Sequence, residues 1–230
     1  MLLAAGSGSR MQDAVQDKVL EPLNGLPVLC HSVLTFLASN CIDRITIVYR
    51  DELQKAKLLA ALSDIDLQNI PIDWTLGGAE RQDSVYNALH MQPTSCTHVL
   101  IHDSARPLIS IKSIRALHRA AIRDRAATLA HPVVDTIKRI ADPKQLNQTE
   151  LEDLERSRLW AMETPQAFAL PEILKAYKHV RINKLHITDD TAAVARIGLK
   201  TTLVANDTPN IKITTPDDLS YAAWLLHRDS

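Results

Sequence analysis

Short apolar or β-branched runs alternate along the chain with longer stretches whose apolar positions recur at helical spacing. Arg44 to Tyr49, Ile72 to Trp74, His98 to Ile101, Thr128 to Val134 and Thr201 to Val204 have the length and composition of strands. Met1 to Gly6 reads as a further strand running straight into a loop. Between them, Val28 to Ala38, Asp51 to Leu62, Gln82 to Met91, Ile111 to Ile122, Pro171 to His179, Thr188 to Ile197 and Pro216 to Leu226 read as helices. Their ends carry the matching signals: acids opening at Asp51, Pro171 in a first turn, Thr-Asp-Asp at 188 and Gly198 as a stop. Such alternation predicts crossover units and a doubly wound, mostly parallel α/β sheet, with ligands at the carboxyl ends of the strands. Asp135 to Arg158 breaks the pattern, being polar and poor in large apolar residues. It reads as an arm-like insertion around 135–158, either an extended arm or a partner-binding excursion. No repeat, low-complexity segment or linker divides the chain, so residues 1–230 are read as one domain.

Composition narrows the function classes. Apolar residues are 46% and charged residues 23% of the 230, which excludes a disordered tail or a fibrous repeat. Lys plus Arg is 26 against 27 Asp plus Glu, a net charge of −1, so no global basic field draws in nucleic acid. An anionic ligand must therefore be held by a local cluster. Cys30, Cys41 and Cys96 have no paired spacing, which argues against a disulfide framework or structural zinc and fits a reducing cytoplasm. The apolar runs are far too short for a membrane span, and Met1 to Gly6 lacks the charged leader of a signal peptide.

Four segments hold chemistry. In Ala4-Ala5-Gly6-Ser7-Gly8-Ser9-Arg10-Met11 a strand feeds a loop of small residues and then an Arg. Small residues let backbone N–H groups approach phosphate oxygens, and Arg10 tips the balance from a plain flexible turn toward phosphate binding. Neither the Gly-Lys-Ser/Thr phosphate loop nor the complete dinucleotide fingerprint is present. Lys18 follows in a polar stretch, and its case rests on closeness to that loop. Gly77-Gly78-Ala79-Glu80-Arg81-Gln82-Asp83-Ser84 joins a strand to a helix, either as a polar cradle with Ser84 facing it or as a turn with a capping acid. Ile101-His102-Asp103-Ser104-Ala105-Arg106 ends a strand in Asp103. That position suits a magnesium ligand better than a turn-closing ion pair with Arg106, and His102 reads as a wall residue rather than a base. Later in the chain Asp189 and Asp190 read as a helix cap. Lys212, in an otherwise apolar strand, is costly there unless it meets an anion.

Taken in order, these segments resemble the nucleotidyltransferase family of the 2-C-methyl-D-erythritol 4-phosphate cytidylyltransferases. The likeness runs from Leu3-Ala4-Ala5-Gly6 through Gly77-Gly78 and Arg81-Gln82-Asp83-Ser84-Val85, His102-Asp103-Ser104-Ala105-Arg106-Pro107 and Thr164-Pro165-Gln166-Ala167-Phe168. It ends with Thr188-Asp189-Asp190 and Asn210-Ile211-Lys212-Ile213-Thr214 with Pro216-Asp217-Asp218-Leu219, and covers nearly the whole chain. The family's usual Pro-Lys-Gln stands here as Asp17-Lys18-Val19, after a loop one residue longer. The resemblance implies a Rossmann-like fold of the nucleotide-diphospho-sugar transferase type with a protruding arm that makes a homodimer. It implies that Arg10, Lys18 and Lys212 supply the catalytic cations, and that Ala4, Ala5, Gly6 and Gly8 hold the triphosphate and base of CTP. It implies that Gly78, Ala79 and Ser84 read the cytosine, and that Asp103 binds magnesium near the ribose. Arg106, Arg156, Thr164 and Thr188 would hold the methylerythritol phosphate with Lys212, with Arg156 and Thr164 coming from the partner subunit.

The implied reaction needs no base. A phosphate monoester has its second pKa near ~6, so its attacking oxygen is already deprotonated at neutral pH. The obstacle is charge, and positioning plus cation clamping answers it. The nine His and three Cys show no triad spacing, in keeping with that chemistry. Ribitol-5-phosphate cytidylyltransferase shares the loops and is the nearest alternative. A catalytically dead nucleotide-binding paralogue is the alternative of a different class.

Overall fold

The computed structural model describes residues 1–6 and 17–228. Its centre is a seven-stranded sheet built from β1 (Leu2–Leu3), β4 (Ile45–Tyr49), β5 (Ile72–Leu76), β6 (His98–Asp103), β7 (Ala126–Pro132), β10 (Trp160–Ala169) and β11 (Thr202–Ala205), in the order β11-β7-β10-β6-β1-β4-β5. Two small antiparallel pairs lie outside it: β2 (Pro22–Leu23) with β3 (Leu26–Pro27), and β8 (Lys138–Arg139) with β9 (Glu152–Asp153). The helices are α1 (Val28–Ser39), α2 (Glu52–Leu62), α3 (Arg81–His90), α4 (Ile111–Asp124), α5 (Leu170–Ile182), α6 (Asp190–Ala195) and α7 (Pro216–Arg228).

Strand alternation explains the layering. In β1 Leu2 faces one core and Leu3 the other; in β6 Leu100 opposes Val99 and Ile101. The first core packs against α1, α2 and α4 through Leu29, Val33, Leu58, Ile114 and Leu117. The second packs against α3, α5 and α6 through Val85, Leu89, Ile173, Tyr177 and Val194. Helices on both faces of a mostly parallel sheet make the fold the doubly wound one expected.

Strand direction then locates a crevice. β1 pairs in parallel with β4 through Leu3↔Val48 and with β6 through Leu3↔Asp103. The chain winds outward from β1 to β4 and β5, then returns to β6 on the other side. Such a reversal opens a cleft beyond the carboxyl ends of the two central strands. There β1 ends at Leu3-Ala4 and β6 at Asp103.

The element boundaries expected from the sequence hold to within a few residues, with two departures. β10 was not expected as a strand. It runs antiparallel to both β6 and β7, and its pairing with β7 shifts between Met162 and Gln166. Pro165 sits in that irregularity, where a missing N–H leaves no gap in the ladder. The second departure concerns Lys212, which is on a loop and not in a strand. That loop is tied by the Ile213 N–H to the Ala105 carbonyl at 2.8 Å. The 135–158 segment, read as an arm-like insertion, is mostly exposed and holds the β8–β9 pair. Among the described residues no helix is long and apolar enough to cross a membrane.

Candidate functional site

A cleft of about 540 Å³ lies at the carboxyl ends of β1, β4, β5 and β6. Ala4, Ala5 and Gly6 form one lip, Gly78, Ala79 and Ser84 another, and Lys18, Arg81, Asp103 and Lys212 converge across the floor. Gly8 and Arg10 lie outside the described residues.

Local sequence explains each lip. Ala4 continues β1 by donating its N–H to the Val48 carbonyl at 2.9 Å, while its own carbonyl accepts from Gln54 Nε2 at 3.0 Å. Gln54 also donates to Asp17 Oδ2, so α2 grips both ends of the segment between Ala4 and Lys18. On the other lip Glu80 and Asp83 form a reciprocal capping box at the start of α3. Ser84 Oγ accepts from the Gly78 N–H at 3.0 Å and donates to the Glu80 carbonyl. Its hydroxyl therefore shapes the glycine turn.

Asp103 is the electrostatic centre. Its Oδ1 accepts from Arg81 Nε at 3.2 Å and its Oδ2 from Lys212 Nζ at 2.5 Å. Burial alone would raise its pKa, but Arg81 and Lys212 outweigh burial and hold it well below the usual carboxylate range. The Arg81 fork reaches on to Asp190, with NH1 to Oδ1 at 3.1 Å and NH2 to Oδ2 at 2.9 Å. Lys18 Nζ donates to the Ile213 carbonyl at 3.0 Å, which sets the second lysine beside the Lys212 loop.

Behind Asp103 the hydrogen bonds form a chain. The Asp103 N–H donates to Thr164 Oγ1 at 3.0 Å. Thr164 Oγ1 lies 3.2 Å from His102 Nδ1, and His102 Nε2 lies 3.1 Å from the Arg106 carbonyl. Having accepted from Asp103, the threonine hydroxyl donates to Nδ1, so His102 carries its proton on Nε2 and donates to Arg106. Burial pushes the His102 pKa down to about 3, so the ring is neutral, a wall residue as expected.

Several expectations change. Thr164 is buried and bonded to Asp103 of its own chain, its hydroxyl accepting from the Asp103 N–H. Arg106 makes no ion pair with Asp103; it donates to the Asn210 carbonyl at 2.6 Å and steadies the Lys212 loop from behind the cleft. Thr188 is exposed just before Asp189, and Arg156 is exposed on the arm, donating to the Val134 carbonyl at 2.9 Å. Asp189 alone caps α6, accepting from the Ala192 N–H, while Asp190 turns into the core.

A divalent cation at Asp103 would share its oxygens with Arg81 and Lys212 and take its remaining ligands from substrate phosphates and water. Both Asp103 oxygens are engaged by cations, and among the described residues no three His, Cys, Asp or Glu side chains gather as a metal cage. The carboxylate also joins Arg81 to Lys212. Read from the sequence, Arg81 has no role of its own within its motif and Asp190 is a helix cap. The signal for Arg81 was its place directly after the Gly77-Gly78 turn and capping acid.

Comparison with known proteins agrees with this geometry. Residues 1–228 match the family model described as IspD: 2-C-methyl-D-erythritol 4-phosphate cytidylyltransferase. The protein of that name from Dictyoglomus thermophilum is 37% identical over 99% of this chain and 96% of its own length. The one from Clostridioides difficile is 34% identical over 100% and 93%. Among solved structures, the 4-diphosphocytidyl-2C-methyl-D-erythritol synthase of Anaerococcus prevotii superimposes with a TM-score of 0.83 at 26% identity, covering 99% of this chain and 96% of that one. The Francisella tularensis 2-C-methyl-D-erythritol 4-phosphate cytidylyltransferase gives 0.79 at 29%, covering 97% of both. Sequence, fold and the cation-lined crevice thus converge, and the chain belongs to the 2-C-methyl-D-erythritol 4-phosphate cytidylyltransferase family.

Proposed function

We propose that the chain joins CTP to 2-C-methyl-D-erythritol 4-phosphate, giving 4-diphosphocytidyl-2-C-methyl-D-erythritol and pyrophosphate. The observation that carries the reading, beside the family match, is the meeting of Arg81 and Lys212 on Asp103 with Lys18 lining the same cleft. A phosphate oxygen of the alcohol phosphate attacks the α-phosphorus of CTP. The new P–O bond forms as the bond to the β-phosphate oxygen breaks, and the electron pair leaves with pyrophosphate. No proton moves, which suits a site whose buried histidine is neutral and held as a wall. Lys18 and Lys212 lower the repulsion between a dianion and a triphosphate. The Gly78 and Ala79 turn and the Ala4 to Gly6 lip are the parts that take the nucleotide. Magnesium would add positive charge against the phosphates, with Asp103 the residue that would help to hold it.

The reading extends to assembly and location. The exposed apolar side chains Val134, Leu146, Leu151 and Trp160 lie on and beside the arm and support a homodimer through it. Arg156 on the same arm then serves the partner's cleft. Free Cys30, Cys41 and Cys96 fit a reducing cytoplasm.

The test is pyrophosphate release from CTP and 2-C-methyl-D-erythritol 4-phosphate with magnesium supplied, with ribitol 5-phosphate run in parallel. The expected result is turnover with the methylerythritol phosphate well above that with ribitol 5-phosphate. Lys212→Met should retain its fold and lose about 10²–10³ in kcat, the cost typical of a preorganised transition-state donor. The reverse preference, or no turnover with either, would overturn the reading.

A further inference from the structure

We propose that Asp190, seated by Tyr177, is a positioning residue for the reaction, acting through Arg81 to set Asp103 and hence Lys212. This rests on the cytidylyl-transfer reading above. Asp190 has 0% exposure. A carboxylate so buried is tolerated only when paired and hydrogen-bonded. Its pairing is unusually complete: both oxygens take the Arg81 fork, Oδ1 also accepts from the Tyr177 hydroxyl at 2.5 Å, and its N–H donates to Gln166 Oε1 at 3.1 Å. Gln166 lies on β10, Tyr177 on α5, Asp190 on α6 and Arg81 on α3, so four elements meet at one carboxylate. Helix capping does not account for it, because Asp189 performs the cap.

The consequence reaches the cleft. Arg81 spends two nitrogens on Asp190 and the third on Asp103, so its fork is fixed in orientation and its charge is shared between two anions. Asp103 is then held through Oδ1, leaving Oδ2 to face the Lys212 ammonium. Lysine is a compact charge on a flexible stem, whereas the arginine fork is planar and rigid. The fixed pair is thus Arg81 with Asp190, and the cation able to pass from Asp103 to an incoming phosphate is Lys212. Without the Asp190 charge, Arg81 loses its anchor, closes on Asp103 with two nitrogens and displaces Lys212. Tyr177 keeps its proton, because burial and the neighbouring Asp190 both push its pKa well up, so it remains a donor to that carboxylate.

The experiment is a double-mutant cycle in steady-state kinetics on the full chain, using CTP and 2-C-methyl-D-erythritol 4-phosphate. Asp190→Asn is expected to lower kcat about 10²-fold, the scale of a small misplacement of reacting groups. KM for both substrates should stay within about threefold, since ground-state binding is not what is lost. Tyr177→Phe keeps the ring in the core and should lower kcat about 3- to 10-fold, the worth of one hydrogen bond. Asp190→Asn combined with Arg81→Gln should be no slower than Arg81→Gln alone, because Asp190 acts through Arg81. A purely structural role would make the losses multiply and follow the fall in melting temperature. Wild-type kcat in folded Asp190→Asn, or multiplying losses, would overturn the inference. If Asp190→Asn does not fold, the same cycle with Tyr177→Phe decides by the same two outcomes. A wild-type chain silent in this assay would instead sink the functional reading, and so the two failures are distinguishable.

Discussion

Gly78 leaves no room for a side chain: an added Cβ would stand 2.2 Å from the Asp83 Cβ. At Gly77 the same atom would meet the Ala5 Cβ at 2.7 Å, so the two lips of the cleft approach to contact there. The glycine pair is required by close approach, since neither residue is in the left-handed region. Gly78→Ala should therefore cost about 1–3 kcal/mol through overpacking at the capping box. It should also weaken CTP binding by displacing the turn, and urea unfolding and CTP titration of the variant check the two effects. His102 makes a second residue-level prediction. Its folded pKa of about 3 lies below the ordinary histidine value, so the unfolded chain binds the proton more readily. Its contribution is fully present above about pH 6.5 and is lost as pH falls toward 3, at up to about 1.4 kcal/mol per pH unit. Urea unfolding from pH 7 to pH 5 should show that fall. In His102→Asn the slope should be shallower by about one proton, and an unchanged slope would mean the ring is not buried neutral.

At the scale of elements, the Lys212 loop is an irregular segment made rigid by one carboxylate. Glu163 on β10 is 4% exposed, and its Oε2 accepts from Asn206 Nδ2 and Asn210 Nδ2, each at 2.8 Å. Its Oε1 lies 2.7 Å from His131 Nδ1 on β7. Asn210 also donates to the Thr164 carbonyl, and its own carbonyl takes Arg106. Glu163→Leu would leave the Asn206 and Asn210 amides without the acceptor they share. It should cost about 2–3 kcal/mol, as a buried polar group left unmatched does, and should lower kcat through Lys212 two residues beyond Asn210. Activity retained at full level in a destabilised variant would show that the loop's position does not depend on Glu163. This network also shows why part of the site was hidden in the sequence. Ile45–Tyr49 and Ile111–Asp124 were legible because apolar periodicity is a local property. β10 was not, because Pro165 and the polar Glu163-Thr164 look like a break until the bulge and two neighbouring strands are present. Ala4, Gly78 and Asp103 could be read because loops at strand ends are local signals. Arg81, Asp190 and Glu163 could not, because their partners are distant in sequence: Arg81 meets Asp190 across 109 residues.

For the whole molecule, the question is whether one chain completes its own cleft. Lys18, Arg81 and Lys212 line it, yet Arg156 points its guanidinium at the Val134 carbonyl on the exposed arm. Arg156 and the apolar Val134, Leu151 and Trp160 are surface groups in the single chain. A dimer through the arm would bury that apolar surface and carry the guanidinium to a neighbouring cleft, and the active unit would then be a pair of chains with two shared sites. Mixing variants tests this directly. Arg156→Ala and Lys212→Met should each be inactive alone. In a mixed dimer one cleft receives both lesions and the other receives neither. Equimolar subunits that exchange freely form mixed dimers half of the time, with one intact cleft in two, so about a quarter of wild-type activity should return. Recovery that rises with the rate of subunit exchange, followed by pyrophosphate release, would place Arg156 in the partner's site. If both variants are inactive and exchange is shown by sedimentation, yet no activity returns, Arg156 serves its own chain and the arm is not what completes the cleft.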